Sequence, residues 1–439
     1  MAVILQAETK RSTIVNKKFI SILLLNVACL TAVAQTTLEQ CQQAAQNNYP
    51  LIQQRDLIAR TTGYTVANIK KGWLPQVSAT AQATLQSDVT AWPTEMKGLM
   101  NQMGLDMKGL KKDQYRVGID VNQTIYDGGS ITSQAALARE QGRVQEAQNE
   151  VNLYTVRMRV NELYFALLLV NEQQKLNNDL QQLLENNEKK LASMFKRGTA
   201  AESDYNSVKA ERLNAVQQAT ALAAQQQALR RMLSTLCGIE ITDVQKPPVV
   251  ETGNNLNNRP ELQLIDAQLR LNEAQKKTLD AAIRPKLSLF AQGFYGYPGY
   301  NMFNDMMHHK WSLNGMIGAR LTWNITPLYT RNNDLEKLKL QRQQVENSRD
   351  VFLLNNNLDQ IQHGENVLRY RKMMDTDSDI IDLRSKVRHS AESKLAHGII
   401  DVNDLIKEIN NENAARVQQS IHETEMLKEI YDLKFATNN

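Results

Sequence analysis

The chain is poor in the residues that build compact cores and reactive sites. Aromatic residues make up only 6% of its 439 positions, proline occurs nine times and cysteine three times. Length alone would allow two or three globular domains. Long stretches of Gln, Asn, Ala and Leu instead suit extended helices. The three cysteines, Cys29, Cys41 and Cys237, exclude a disulfide framework; a single Cys41–Cys237 bridge stays open. Charge is nearly balanced: beyond residue 34 there are 47 basic and 46 acidic residues, which leaves no basic field for nucleic acid. Beyond the N-terminus no segment reaches 18 consecutive apolar residues, and the best run is only Phe165 to Val170. A membrane-spanning helix is therefore not expected. Any passage through a membrane must be as a β-barrel. His308, His309, His363, His389, His397 and His422 show no metal or triad spacing. No Lys-Ser/Thr follows Gly128-Gly129, so there is no phosphate loop. No cofactor, metal or enzyme activity is expected.

What is present begins with an export signal. Lys17-Lys18 precede an apolar run from Phe19 to Val33, and Ala32-Val33-Ala34 before Gln35 fits a small-x-small cleavage site. Residues 1–34 are read as a signal peptide. Val27-Ala28-Cys29 also resembles the end of a lipidation motif, although Asn26 stands where that motif prefers Leu.

The chain then says nearly the same thing twice. Pro50, Pro75, Ser78 and Gln82 match Pro260, Pro285, Ser288 and Gln292 at an offset of 210. Lys196-Arg197-Gly198 with Asp204 answers Ala396-His397-Gly398 with Asp404 at an offset of 200. Matches in one order mark a tandem duplication: residues 35–239, a linker at 240–258, and residues 259–439.

Each copy changes period once. Helical sequence from residue 36 to residue 74 gives way to strict alternation over 77–89 and 115–125, and in the second copy over 286–300 and 311–324. Val77, Ala79, Ala81, Ala83 and Leu85 face one way, Ser78, Thr80, Gln82 and Thr84 the other. The polar faces read as nearly free of large apolar groups. Aromatics such as Phe294, Tyr295, Tyr297 and Tyr300 gather near strand ends. These strands exceed the soluble norm of about 5–6 residues and carry the pattern of an outer-membrane barrel. Two half-buried hairpins of a soluble domain are the plainer alternative. Long helices follow, from Ser130 to Met194 and from Leu328 to about Ala396. Each turns back at a glycine into a second helix. Leu176, Leu180 and Leu184, and Leu354, Leu358 and Ile361, show coiled-coil spacing.

Four strands cannot close a barrel in lipid, where open edges are forbidden. Several copies must share one. Two copies give eight strands, whose interior fills with side chains; three give twelve, with room for water. The polar inner faces favour three. The fold class is therefore mainly helical with a shared membrane barrel.

The ordered series of helix, proline, strand pair, long helix, glycine turn and helix resembles the TolC family of outer-membrane efflux channels across essentially the whole mature chain. Thr124-Ile125-Tyr126-Asp127-Gly128-Gly129 resembles the family signature after the second strand; Trp323-Asn324-Ile325-Thr326-Pro327 departs from it. The resemblance implies a homotrimer in outer-membrane lipid, with a 12-stranded barrel and a helical periplasmic tunnel. It also implies a periplasmic adaptor and an inner-membrane pump as partners. Adaptor docking would fall on Arg197, Gly198, Thr199, His397, Gly398 and Ile399, where simple helix capping is the bland account. Asp401 and Asp404, three apart on one helical face, would form a constriction, with Asp204 as the first-copy equivalent and Ala201 replacing the partner of Asp401. Capping of the helix N-terminus is the alternative for these carboxylates. Three copies would bring six carboxylates together, a ring favouring cations.

The methionines of the strand-connecting loops, Met96, Met100, Met103 and Met107, then Met302, Met306 and Met307 beside His308 and His309, suit either soft-metal binding or adaptable packing; packing is preferred. The functional expectation is a passive exit duct for drugs, toxic compounds or metals. A conduit for secreted proteins and a secreted periplasmic coiled-coil interaction protein are the alternatives. Protein recovered from the envelope should begin at Gln35 on N-terminal sequencing. A chain still carrying residues 1–34 would remove the signal, and a blocked terminus at Cys29 would select lipidation.

Overall fold

A computed structural model describes residues 35–106, 108–250 and 257–438. The signal segment, Cys29, Met107 and the middle of the 240–258 linker lie outside the described residues. The elements run α1 (Leu38–Asn48), α2 (Leu51–Lys70), a 3₁₀ turn (Lys71–Trp73), β1 (Gln76–Leu85), α3 (Thr94–Gln102), β2 (Asp113–Tyr126), α4 (Ser130–Lys196) and α5 (Glu202–Cys237). They continue as α6 (Pro260–Ala282), β3 (Lys286–Tyr297), α7 (Met302–His308), β4 (Ser312–Thr322), α8 (Pro327–Ala396) and α9 (Val402–Thr437).

Local chemistry sets these boundaries. Thr37 and Gln40 close a reciprocal capping box at the start of α1, and Pro50 separates α1 from α2. At the corner after β2, Gly128 and Gly129 hold φ of 71° and 87°, where only glycine sits freely. The buried Asp127 carboxylate accepts the Gly129 amide at 2.8 Å and also the Ile131 amide, so the signature-like segment is a strand-to-helix corner with its own cap. The second corner uses different chemistry for the same task. Asn324 accepts the Thr326 amide at 3.2 Å and Pro327 opens α8.

The residues fall into two compact bodies, each drawn from both sequence repeats. One, the sheet body, holds Gln53–Val151 and Pro260–Leu353. Its four strands form one antiparallel sheet in the order β1-β2-β3-β4. The register sets apolar rows in line: Val77, Val121, Ala291 and Ile317 in one, Ala81, Val117, Tyr295 and Leu313 in another. Leu313 and Ile317 are each 82% exposed, so this face has no cover among the described residues. β1 ends at Leu85, short of the alternating pattern that reaches Val89. Asp88 takes up the Val89 amide with its own carboxylate, which withdraws that amide from a ladder. β3 ends at Tyr297, before Pro298, which has no amide to donate.

The polar face corrects the sequence reading. Phe290 and Phe294 lie on it, beside Gln292 and Ser288. Each packs against a glycine across the ladder, Gly318 and Gly118 respectively, and each is covered by a guanidinium. Arg116 stands 4.0 Å from the Phe294 ring centre and Arg320 4.9 Å from that of Phe290. Between them Asp120 accepts Gln292 from β3 and Thr80 from β1.

The helical body comprises the residues to Ile52, Asn152–Arg259, and Leu354 onward. Its larger core gathers Val160, Tyr164, Phe165 and Leu167 of α4 with Leu38 and Cys41 of α1, Leu233 of α5 and Leu427 and Tyr431 of α9. The start of the expected linker is part of this core: Ile241 and Val244 are buried, and Val244 bridges Thr36 in parallel. The duplicated helices differ in burial. Leu180 and Leu184 of α4 are covered, whereas Leu354, Leu358 and Ile361 of α8 are 54–59% exposed.

A Cβ on Gly118 would stand 2.8 Å from the Gly293 carbonyl and 2.7 Å from the Phe294 Cβ, whereas one on Gly293 meets nothing closer than 4.0 Å. Gly118→Ala should therefore lower stability by about 1–3 kcal/mol through overpacking, and Gly293→Ala by much less. Urea-unfolding midpoints of the two variants in detergent test this order; equal midpoints would refute it.

Candidate functional site

The two hairpin turns lie in the helical body and are built alike. α4 and α8 both end in a left-handed glycine, Gly198 at φ 74° and Gly398 at φ 73°. The amides of Thr199 and Ile399 reach back five residues to Met194 and Lys394, at 3.0 and 2.9 Å, and those of Gly198 and Gly398 reach back three. These paired bonds form Schellman caps. A Cβ on either glycine would meet nothing within 4 Å, so dihedral geometry alone requires glycine there. Arg197 donates from Nε to the Ser193 carbonyl at 3.2 Å, and His397 Nδ1 lies 2.8 Å from the Ser393 carbonyl. All six candidate docking residues thus sit in the turns, with Ile399 69% exposed. Thr199 is already engaged, its hydroxyl donating to the Met194 carbonyl at 3.1 Å.

The carboxylates beyond the turns differ from the sequence picture in one respect. Asp401 is not on the helical face with Asp404. It is the N-cap of α9, in extended conformation, and its Oδ1 accepts the Asp404 amide at 2.9 Å. Asp401 therefore acts as a helix cap, while Asp404 stands exposed one turn in. In the first copy Ala201 has no side-chain acceptor. Asp204 turns back instead and accepts the Ala201 amide at 3.2 Å. One apolar cluster, including Leu184, Leu191, Val208, Val402, Leu405 and Ile409, packs both hairpins together just behind the turns, with Ala200 and Ile400 at its edge. The structure thus brings the first- and second-copy candidates into one region. Asn410 of α9 donates to Glu211 of α5 at 2.9 Å, an added tie between the returning helices.

Sequence reasoning missed the strongest electrostatic feature near these turns. Arg388 of α8 and Glu412 of α9 form an ion pair buried to 8% and 5% exposure. Glu392 approaches Arg388 at 2.7 Å and Arg416 approaches Glu412 at 2.8 Å. Burial alone would raise the Glu412 carboxyl, but hydrogen bonds from Arg416 and Arg388 outweigh it and hold the group below its usual range. The first copy has the equivalent pair with its charges exchanged: Glu188 on α4 and Arg212 on α5, 2.5 Å apart. The offset of 200 that aligns the turns also aligns these pairs, so the signal was present in the sequence. It was masked because the residue types do not match. His422 and Asp377 form a second buried contact between α9 and α8, at 2.8 Å.

The loop methionines divide. Met306 packs with Leu110 and Tyr297, whereas Met96, Met103, Met302 and Met307 remain exposed. Among the described residues no group of three or more His, Cys, Asp or Glu is placed to hold a metal ion.

No protein-family model matches the sequence, and no curated protein matches it either. Solved structures do match it. CusC, whose structures concern folding and transmembrane channel formation, is 11% identical with a TM-score of 0.70, over 92% of each chain. The outer membrane protein VceC from Vibrio cholerae is 11% identical with a TM-score of 0.67, over 92% of this chain and 96% of that one. The open-state outer membrane channel MtrE from Neisseria gonorrhoeae is 14% identical with a TM-score of 0.65, over 92% and 89%. At these identities the likeness shows the fold. The chain has the helical-hairpin and four-strand fold of outer-membrane channels, as its resemblance to the TolC family implied.

Glu412→Gln leaves buried Arg388 with Glu392 as its one paired carboxylate among the described residues. The cost should be roughly 3 kcal/mol, the low end for breaking a buried pair. Because the folded carboxyl is depressed, its stabilisation is present above the unfolded value near 4.3 and is lost as pH falls through the folded value. Denaturation at pH 7 and pH 3 should therefore show a variant deficit that shrinks in acid. A constant deficit would refute the charge argument.

Proposed function

We propose that this chain is one protomer of a trimeric export channel in an outer membrane, with its helical hairpins in the periplasm. The observation that carries the proposal is the sheet: four antiparallel strands with an uncovered apolar face, in which β1 and β4 each pair on one side only. An even number of alternating strands allows β4 of one copy to meet β1 of the next in antiparallel pairing. The ring can then close without an edge. Tyr115 and Trp311 stack at one end of the sheet, and Tyr126 and Trp323 stand at the other. Eleven residues separate Tyr115 from Tyr126, about 36 Å along a strand and roughly 28 Å of height at a tilt of ~40°, close to the ~25 Å apolar band of outer-membrane barrels. The exposed Leu354, Leu358 and Ile361 seam of α8 supports association of copies along the helices as well.

The residues facing away from the apolar side, Thr80, Arg116, Asp120, Asn122, Gln292 and Arg320, would line a wet lumen. The proposed cargo comprises drugs, toxic compounds or metals delivered by an inner-membrane pump through a periplasmic adaptor. The adaptor would meet the turns at Arg197–Thr199 and His397–Ile399. Beyond them, Asp401 and Asp404, with Asp204 of the first copy, would set a carboxylate ring at the periplasmic mouth that favours cations. No group here is proposed to do chemistry; the duct conducts, and its partners supply the work.

Detergent-extracted protein should form cation-selective channels in planar bilayers. Recovery in the soluble periplasm without detergent would sink the channel altogether. Asp401→Asn with Asp404→Asn keeps the N-cap, since asparagine caps as well as aspartate, but removes the charge. It should raise conductance and weaken cation preference with little change in stability. Asp401→Ala alone should additionally cost about 1 kcal/mol of cap. Unchanged selectivity in the asparagine variant would remove the pair from the gate and leave capping as its whole role.

A further inference from the structure

Two cysteines meet in the core of the helical body. Cys41 stands in the middle of α1 and Cys237 is the last residue of α5. Both are buried, at 0% and 2% exposure, within one apolar cluster that includes Leu38, Ala45, Leu233 and Ile241. The Cys237 thiol donates to the Cys41 carbonyl oxygen at 3.4 Å. The neighbouring Cys237 side chain and burial push the Cys41 thiol up, while the Cys41 side chain draws Cys237 down.

The surroundings fix the approach. Asn48, at the end of α1, donates its side-chain amide to the carbonyls of Thr235 and Leu236, the last turn of α5. Gly238 caps α5 in left-handed conformation, with Asn48 against it. On the other side Thr36 bridges Val244, and the Tyr164 hydroxyl donates to the Thr36 carbonyl at 2.9 Å. α1 is therefore held to the end of α5 from both sides of the cysteine pair. The Cys237 sulfur already lies against the Cys41 residue.

We propose that Cys41 and Cys237 form an intrachain disulfide that fastens the first described helix of the chain to the C-terminal end of α5. The bridge rests on the export reading, because disulfides persist in oxidising compartments and not in the cytosol. A disulfide donor, protein or small molecule, supplies the oxidation by thiol–disulfide exchange. One cysteine thiolate attacks a donor sulfur and releases a donor thiol. The second cysteine thiolate then attacks the mixed disulfide and releases the other donor thiol. Two protein thiols lose two protons and two electrons, and one donor disulfide becomes two thiols. Since both sulfurs are closed off in the folded body, exchange occurs before the core around Leu38 and Leu233 closes. The bridge joins residues 196 positions apart in sequence, and a loop of that length gives a large constraint on the unfolded chain.

The full-length chain, purified from the envelope, is denatured with iodoacetamide and without reductant, then digested with trypsin and weighed. The expected product is one linked species in which the peptide ending at Arg55 is joined to Met232–Arg270, since Pro247 and Pro260 block cleavage after Lys246 and Arg259; it is lighter by two hydrogens than the separate peptides and resolved into them by reductant. The same chain, reduced and refolded with oxidised glutathione, is the second arm. A linked species in both arms supports the bridge, as does a thermal midpoint that falls by several degrees on reduction of the wild type but not of Cys41→Ala with Cys237→Ala. Alkylated Cys41 and Cys237 in both arms overturn the pairing itself. Linkage only after refolding with glutathione overturns the bridge in the cell and points the failure at the export reading. A reductant-sensitive species joining Cys41 or Cys237 of separate copies overturns the intrachain assignment.

Discussion

Backbone hydrogen bonding at the outer edges of β1 and β4 is the constraint on which the rest of the architecture turns. Every amide and carbonyl in the hydrocarbon of a membrane needs a partner within the protein. The chain supplies partners for the inner strands through three ladders, the second shifting register between Thr124 and Tyr126, and among the described residues supplies none for the outer edges of β1 and β4. For the sheet to sit in lipid as proposed, pairing between copies is a condition of its existence rather than an added layer of regulation. The same incompleteness recurs along α8, whose leucine seam is bare in a single chain. Sheet and helix carry parallel deficits, and one association of copies can relieve both.

That dependence explains the division of labour between the duplicated halves. α4 lies in the interior of the helical body, with Val160, Tyr164 and Leu167 all fully buried. α8 is its counterpart in sequence but keeps its apolar stripe outside. A duplication thus gives one helix that holds the helical body together and one whose stripe is uncovered among the described residues. In the sheet the halves are more alike. Even there the second pair carries Phe290 and Phe294 on the polar face, each over a glycine of the adjacent strand and under an arginine.

Much of this was legible in the sequence, because period reports geometry directly. Alternation at Val77–Leu85 and at Tyr115–Ile125 marked strands, and glycine at 198 and 398 marked the turns. Two classes of feature were hidden. The first depends on which residue stands across a ladder: nothing in the run Leu287–Gln292 says that Phe290 will face a glycine, Gly318, and so be tolerated on a polar surface. The second depends on fine backbone placement. A spacing of three between Asp401 and Asp404 reads equally as one helical face or as a cap with its first-turn neighbour. Only the extended dihedrals of Asp401 decide for the cap.

The exchanged ion pairs show how a duplicated chain distinguishes its own halves. The hairpins α4–α5 and α8–α9 have similar lengths, the same Schellman turn and a shared apolar cluster behind their turns. Hydrophobic pattern alone therefore does little to fix which helix positions 188 and 388 face near the turns, since α4 also packs against α9 in the larger core. Charge does discriminate. In the native hairpins Glu188 meets Arg212 and Arg388 meets Glu412. In crossed hairpins of the same register Glu188 would meet Glu412, and Arg388 would meet Arg212. Like charges brought together in a desolvated seam cost far more than exposed ones, so the crossed arrangement loses two attractions and gains two repulsions. A matched charge order in both copies would have given no such difference, because every pairing would then be equally attractive. Inverting one pair is the smallest change that makes the two halves unequal to each other while leaving each hairpin internally satisfied.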